Sequence, residues 1–172
     1  MLYIEKKHNF IDEHKDILNK VLEPEFPYFF AQSTKNFKQF VHVLSVRHPS
    51  NTPVDGVANS IFYDKFKEIF LNICNSNGIK VNAILRSAIN CTYHAPQKIG
   101  DIHIDHSFPH KVLILYMNNF TEGSTLIFND HDEIIKESNP EKDKYIIFSG
   151  EPHAQRFCAP GEVRATFVVT FI

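Results

Sequence analysis

The sequence predicts a mainly β protein, either a β-sandwich or a jelly roll, with helices that buttress one of its sheets. Two N-terminal segments carry apolar residues at helical spacing, whereas from residue 79 onward apolar and polar residues alternate. About eight short strand-like segments, separated by turn residues, make up most of the chain, as is typical of sandwiches and jelly rolls. We therefore predict a single domain over residues 1–172, with residues 1–78 as helical support and residues 79–172 as the jelly-roll core.

The composition is that of a globular protein with an aromatic core. Of the 172 residues, 43% are hydrophobic and 22% are charged, and there are 16 Phe and 6 Tyr but no Trp. The formal net charge is −2, and the basic residues are scattered along the chain. This charge pattern argues against strong binding to nucleic acids or other polyanions.

Cysteine usage and hydropathy favour a cytoplasmic protein. Cys74, Cys91 and Cys158 are far apart and odd in number, so we expect no disulfide framework. Residues 1–8 lack the apolar segment of a secretory signal, and no apolar run approaches the ~20 residues of a membrane span. We expect no membrane partner, and the sequence leaves the oligomeric state open.

The N-terminal half is predicted to contain two helices and a strand between them. In order, the elements are a short strand or arm (1–8), a helix (9–22), a strand (37–46) and a second helix (58–77). Acidic residues crowd the first half of the first helix, as the helix dipole favours, and Pro24 ends it. Gly78 ends the second helix. The aromatic segment 25–30 is either buried packing or part of a lip that faces the substrate.

The C-terminal half is predicted to consist of strands. They cover residues 79–92, 112–118, 124–128, 133–135, 145–148, 153–157 and 164–172. The strand at 133–135 lies within a charged stretch that we otherwise expect to be an exposed loop. In the last strand, Arg164, Thr166, Val168 and Thr170 share one face, and the alternate residues share the other.

A short motif, His103-x-Asp105, follows the first of these strands. Residues two apart on a strand point to the same side, so an imidazole and a carboxylate are expected to converge there. Ile102 and Ile104 would then face the other way, into apolar packing. Imidazole and carboxylate groups are the ligands of a catalytic non-haem Fe(II) site, although this pair alone is common by chance.

Two more residues, His153 and Arg164, extend the pattern later in the sequence. His153 lies just after an apolar strand and supplies a second imidazole from a distant part of the sequence. Arg164 follows eleven residues later (153 to 164), on a strand of aliphatic and aromatic residues. A buried arginine is costly unless it is paired, and a carboxylate matches its two-pronged geometry.

This order of residues resembles that of the Fe(II)- and 2-oxoglutarate-dependent dioxygenases, especially the small prolyl-hydroxylase-like oxygenases of bacteria and phages. Four segments carry the resemblance: 111–118, similar to the family strand that ends in Tyr-Leu-Asn, 122–128, similar to its Gly-Gly-x-Thr-x-Phe strand, 145–153, and 160–164. In the second segment, Glu122-Gly123 stands where the family has a glycine pair. The resemblance covers residues 79–172 and implies a double-stranded β-helix, which is a jelly-roll, cupin-like core.

The resemblance also implies an activity. The residues it implies are the Fe(II) ligands His103, Asp105 and His153 and the 2-oxoglutarate contacts Arg164, Tyr116, Thr166 and Asn90. Arg164 and Tyr116 would bind the distal carboxylate, and Asn90 would lie toward the other end. The implied reaction uses dioxygen, with ascorbate in a supporting role, to convert 2-oxoglutarate to succinate and carbon dioxide while hydroxylating a substrate C–H bond.

Several alternatives stay open at this point. The substrate is a peptide, an amino acid or another small molecule, because loops around the mouth of the core determine specificity. A catalytically silent metal-binding jelly roll and a nucleic-acid demethylase are alternative functions, and the latter would need a basic groove that the composition does not indicate. His106 and His110 are expected beside the site rather than as ligands. Arg86 is either a substrate contact or part of a salt bridge.

Overall fold

The computed structural model of the chain describes residues 2–34, 37–50 and 52–172. Within these ranges the protein is mainly β, as the sequence predicts. The elements are β1 Tyr3–Lys7, α1 Asp12–Lys20, β2 Phe29–Thr34, β3 Phe37–Val46, β4 Val57–Ala58, α2 Tyr63–Ser76, β5 Ile84–Tyr93, β6 Lys111–Tyr116, β7 Thr125–Phe128, β8 Ile134–Ser138, β9 Lys144–Phe148, β10 His153–Gln155 and β11 Val163–Phe171.

The strands form a large and a small antiparallel sheet. The large sheet has the order β1-β9-β6-β11-β5-β3-β2, with β4 paired to β3. The small sheet has the order β10-β7-β8. Beyond the edge strand β10, backbone bridges join Ile99 to Arg156 and His103 to His153, so the segment 99–103 lies along that edge. The two sheets are the layers of the jelly roll, and the bridged segment brings the His103-x-Asp105 motif to its small sheet.

The N-terminal part supplies strands as well as helices. β1 pairs with β9 at one edge of the large sheet, so residues 1–8 contain a strand rather than only an arm. β2, β3 and β4 extend the other edge. The second helix begins at Tyr63 rather than at residue 58, because Val57–Ala58 pairs with β3 and the Ser60 hydroxyl then accepts a hydrogen bond from the Phe62 N–H.

The charged stretch after β7 contains more regular structure than the sequence indicates. β8 runs from Ile134 to Ser138 and pairs with β7, whereas the predicted strand covered only residues 133–135. Most of β8 is exposed, in keeping with its charged composition, and Ser138 is its buried end. The strand therefore closes one edge of the small sheet.

The main hydrophobic core lies between the helices and the large sheet. In α2, Phe66 and Phe70 contact Phe167 and Phe171 of β11, with ring centroids 5.0 and 4.9 Å apart. All four side chains are essentially fully buried. Burial of each ring contributes about 1.5–3 kcal/mol. This layer fixes β11 from behind and leaves its opposite face free to form a site.

Two further expectations concern cysteines and membranes. Cys74, Cys91 and Cys158 are all buried and free, as the expected absence of a disulfide framework requires. Within the described ranges, no helix combines the length and the apolar character needed to cross a membrane.

Candidate metal centre

The structure brings together His103, Asp105 and His153. One potential ligand atom from each residue lies within 4.8 Å of the other two. The backbones of His103 and His153 exchange two hydrogen bonds, of 3.1 and 3.0 Å, which place the two imidazole rings side by side with centroids 4.5 Å apart. Asp105 follows two residues later and turns its carboxylate toward the same point. A distant pair of residues is thus joined by backbone pairing at the edge of the small sheet.

The expected apolar packing behind this motif is wrong. Ile102 is 41% exposed and Ile104 is 56% exposed. The segment around them is not a regular strand, since its backbone pairs with the edge of the small sheet at isolated positions, among them His103. Because the segment forms the outer edge of the small sheet, its far side faces solvent. The ligands converge even so, and the isoleucines contribute little to the core.

The hydrogen bonds of the two imidazoles determine which nitrogen is free. His103 Nδ1 lies 3.0 Å from the carbonyl oxygen of Asp101, and His153 Nδ1 lies 2.9 Å from that of Glu151. A carbonyl oxygen can only accept, so each Nδ1 carries the proton and each neutral ring keeps a lone pair on Nε2. Burial lowers the pKa of His153 to about 4, which keeps that ring neutral at physiological pH. This is the form that binds a metal.

One oxygen of the Asp105 carboxylate lacks a proton donor among the described residues. Its Oδ2 atom is buried without a hydrogen-bond partner among the described residues and lies 3.5 Å from His153 Nε2. Burial alone would raise the pKa of Asp105, but the positive charges of Arg86 and Arg47 lower it. Two lone-pair atoms therefore face each other with no hydrogen between them. A bound cation would remove this repulsion, so the residues fit a divalent metal with two nitrogen ligands and one oxygen ligand.

A cavity of about 130 Å³ extends from these three residues into the space between the sheets. Arg164, Thr166 and Asn90 line it, as does Gln155. Asn90 and Thr166 are opposite each other in the pairing of β5 with β11. The Oδ1 atom of Asn90 and the Nε2 atom of Gln155 are buried without a hydrogen-bond partner in the described part of the chain. These atoms are free to bind a polar ligand.

Arg164 is the principal charge in the depth of this cavity. It is 3% exposed. Its guanidinium donates to Gly123 O at 3.0 Å, to Gln155 Oε1 at 2.9 Å, to Thr125 Oγ1 at 3.0 Å and to Thr166 Oγ1 at 3.2 Å. Every one of these acceptors is neutral. No carboxylate of the described residues forms an ion pair with Arg164.

A bound anion would balance the buried charge of Arg164. Burial lowers the pKa of Arg164, yet a guanidinium remains protonated at neutral pH. A buried charge without a counter-charge is unfavourable by several kcal/mol even after relaxation. The structure thus contains a firmly held cation in the same cavity as the three candidate ligands.

Tyr116 lies behind this arginine rather than in the lining of the cavity. Its hydroxyl is hydrogen-bonded to Thr125 Oγ1 at 2.8 Å and to the Ser138 carbonyl at 2.9 Å. Since the carbonyl can only accept, the phenol proton points to Ser138, and the Thr125 hydroxyl donates to Tyr116 while it accepts from Arg164. The Arg164 guanidinium also lies 5.8 Å from the centre of the Tyr116 ring. Direct contact between Tyr116 and a cosubstrate stays a prediction.

Two side chains that hold Arg164, those of Thr125 and Gln155, were not predicted from the sequence. Thr125 lies on β7 within the segment that resembles the family, but its spacing gave no sign that it faces an arginine. Gln155 could have been found, because it lies two residues after His153 on the same strand and so shares its face. His106 is not part of the candidate metal centre. Its Nε2 is 2.9 Å from Thr170 Oγ1, and burial lowers its pKa to about 4.

Three solved structures show which fold this is. A 2OG-Fe(II) oxygenase family oxidoreductase from Burkholderia pseudomallei matches 93% of the chain over 79% of its own length, with a TM-score of 0.68 and 14% identity. A prolyl-4-hydroxylase from Pseudomonas putida matches 98% of the chain over 91% of its own length, with a TM-score of 0.62 and 13% identity. A prolyl hydroxylase from Trichoplax adhaerens, in complex with a peptide fragment of hypoxia inducible factor, matches 99% over 83%, with a TM-score of 0.64 and 11% identity.

The chain therefore has the double-stranded β-helix fold of the 2OG-Fe(II) oxygenases and prolyl hydroxylases, as the sequence resemblance implies. At these identities the likeness establishes the fold. No family model matches the sequence. No curated protein matches it either.

Proposed function

We propose that the protein is an Fe(II)- and 2-oxoglutarate-dependent dioxygenase that hydroxylates a small-molecule or peptide substrate. The observation that carries this proposal is the combination, in one cavity, of the His103, Asp105 and His153 ligand set with a buried Arg164 that forms no ion pair with a described residue. A metal ion would bind the three ligands, and a carboxylate of a dicarboxylate cosubstrate would pair with Arg164. The fold shared with 2OG-Fe(II) oxygenases supports the same conclusion.

The three ligands would hold Fe(II) from one side. The hydrogen bonds from Nδ1 of each imidazole to a backbone carbonyl orient both rings and leave Nε2 as the atom that would bind the metal. A metal held by three protein ligands keeps positions open for other ligands. The bound iron would supply the oxidative chemistry, in which dioxygen, 2-oxoglutarate and a substrate C–H group give succinate, carbon dioxide and the hydroxylated substrate.

The polar residues of the cavity would position the cosubstrate. Arg164 would pair with the distal carboxylate of 2-oxoglutarate, since a guanidinium and a carboxylate match in charge and geometry. Thr166 and Thr125, which already accept hydrogen bonds from Arg164, hold the guanidinium in place. We assign Asn90 to the end of the cosubstrate away from Arg164, where its side-chain amide, which lines the cavity, would donate from Nδ2 to a cosubstrate oxygen. Tyr116 stabilises this arrangement through Thr125.

Succinate formation tests the proposal. The purified protein is incubated with Fe(II), ascorbate, 2-oxoglutarate and a panel of candidate substrates, and succinate is measured together with bound iron. We expect slow succinate formation that a true substrate accelerates. His103→Ala is expected to abolish both iron retention and turnover, whereas His131→Ala, a change at another exposed histidine, leaves both unchanged.

Two results would contradict the assignment. Full iron occupancy and turnover in His103→Ala would show that the metal site is elsewhere. Bound metal without succinate, whatever the candidate substrate, would favour a metal-binding module that does not turn over.

A further inference from the structure

A second arginine enters the same cavity from the other side. Arg86 lies on β5 and lines the cavity together with Arg164. In the pairing of β5 with β11, Arg86 is opposite Thr170, six positions along the strand from Arg164 (164 to 170). Six residues of strand correspond to roughly 20 Å between the two backbone positions. The cavity thus has a cationic side chain at each end.

The candidate metal ligands lie between these two arginines. At one end, Gln155 accepts a hydrogen bond from Arg164, and His153 lies two residues before Gln155 on β10. His153 is next to Asp105, at 3.5 Å. Asp105 in turn is the carboxylate whose charge acts on Arg86. A cosubstrate that reaches from Arg164 to the metal therefore leaves the Arg86 end of the cavity empty.

The Arg86 guanidinium has no polar partner within the described part of the chain. Asp105 attracts it without forming an ion pair, and Arg47 repels it. Burial, reinforced by Arg47, lowers the pKa of Arg86, but the group remains a cation at neutral pH. The charge of Asp105 is itself shared with Arg47, whose Nη2 lies 3.7 Å from Oδ1, and would be taken up further by the metal. The salt bridge considered for Arg86 from the sequence is thus not formed with a described residue.

We propose that Arg86 binds a carboxylate group of the primary substrate, so that this enzyme acts on an acid. The inference rests on the proposed function, because it assigns 2-oxoglutarate to the other arginine. One guanidinium balances one negative charge and offers two parallel N–H donors, which a carboxylate accepts. The nearby Asp105 carboxylate disfavours a more highly charged anion such as phosphate. The small cavity admits a short acid or an acidic side chain.

The carboxylate has two chemical sources, a free amino acid and an acidic residue within a peptide. The test therefore uses matched pairs of ligands. Free amino acids are compared with their carboxamides, and acetylated, amidated glutamate is compared with its glutamine counterpart. Within each pair the size is nearly the same and the negative charge is lost.

Binding is measured without turnover. The protein is loaded with Mn(II) in place of iron, saturated with 2-oxoglutarate and kept under anaerobic conditions. Broadening of ligand proton resonances by the paramagnetic Mn(II) then reports binding near the metal. The variants are Arg86→Met, Arg86→Lys and, as a matched control, Arg156→Met, which removes an arginine paired with Glu137 at the surface. Circular dichroism verifies that each variant is folded.

We expect acids to bind the wild-type protein roughly tenfold or more tightly than their amides, since a hydrogen-bonded charge pair is lost in the amide. Arg86→Met should remove this difference, Arg86→Lys should retain part of it and Arg156→Met should retain all of it. The pair of probes that shows the difference identifies the source of the carboxylate.

The outcomes separate this inference from the proposed function. If 2-oxoglutarate fails to bind the wild-type protein, the proposed function is wrong, and the inference fails with it. If 2-oxoglutarate binds but no acid of the panel is preferred over its amide, or the preference persists in Arg86→Met, only the inference about Arg86 is overturned.

Discussion

The two faces of β11 are both buried, but they have opposite chemistry. The face toward the helices carries Phe167 and Phe171, which contact aromatic rings of α2. The face toward the cavity carries Arg164 and Thr166, whose polar atoms bind one another and neutral acceptors. Because successive residues of a strand alternate between faces, a single segment of nine residues supplies both a core layer and a site layer.

The comparison shows where stability and function reside in this protein. The helix-facing side contributes apolar burial and needs no ligand to be satisfied. The cavity-facing side buries Arg164, which has no counter-charge in the described part of the chain, and this lowers stability unless an anion binds. The fold tolerates the buried charge on the cavity-facing side because apolar packing on the helix-facing side holds β11 in place. Changes on the two faces should therefore separate folding from ligand binding.

Phe167→Ala is expected to have the largest effect on stability. It removes a fully buried ring that contacts Phe66 and leaves a cavity beneath α2. Such truncations decrease the free energy of unfolding by about 3–5 kcal/mol. Urea denaturation measures this loss, with Val168→Ala, a half-buried neighbour on the other face, as the control that costs less. Equal losses in the two variants would show that the helix-facing layer is not the dominant core.

Arg164→Met, in contrast to Phe167→Ala, is expected to affect ligand binding more than the free energy of unfolding. Loss of a buried partner of a carboxylate weakens binding by about 2–5 kcal/mol, which corresponds to at least about 30-fold in the dissociation constant for 2-oxoglutarate. The free energy of unfolding without ligand should change by less than in Phe167→Ala, since the variant also removes an uncompensated cation. Calorimetric titration of 2-oxoglutarate into the Mn(II)-loaded protein measures the first effect, and urea denaturation measures the second. Unchanged affinity for 2-oxoglutarate would remove Arg164 from the cosubstrate site.

The alternation on β11 is a local property, and the order of the candidate ligands matches a known family pattern, so the sequence was sufficient to predict both. Arg164 and Thr166 were assigned to one face from spacing alone, and the structure places both in the cavity. His103, Asp105 and His153 were linked by their order in a known family pattern, and the structure brings their ligand atoms together. In both cases the chemistry of the side chains limits where they can lie, because a buried arginine or a metal-binding imidazole needs a specific partner.

The features that the sequence did not predict depend on neighbours that are distant in the chain. Ile102 and Ile104 have an apolar pattern, but the segment that contains them lies at a sheet edge with solvent on its outer side. Thr125 contacts Arg164 because the two sheets place β7 against β11. The sequence left Arg86 as either a substrate contact or part of a salt bridge, since no pattern predicts whether a carboxylate of the protein lies next to it. Sheet edges, contacts between the two sheets and unpaired charges depend on how the sheets pack, so they could not be predicted from local sequence patterns.

Tyr116→Phe is expected to have the smallest effect on 2-oxoglutarate binding. The variant tests whether Tyr116 contacts the cosubstrate or only supports the residues that do. The hydroxyl lies one hydrogen bond behind Thr125, which itself accepts from Arg164. Its removal should weaken 2-oxoglutarate binding by only about 0.5–1.5 kcal/mol, or about two- to tenfold, through a less firmly held guanidinium. The same titration measures this change, with Tyr145→Phe, another buried tyrosine, as the control. A loss as large as that of Arg164→Met would instead mean that Tyr116 contacts the carboxylate directly, as the sequence resemblance implies. In that case Thr125 must release the hydroxyl when the cosubstrate binds.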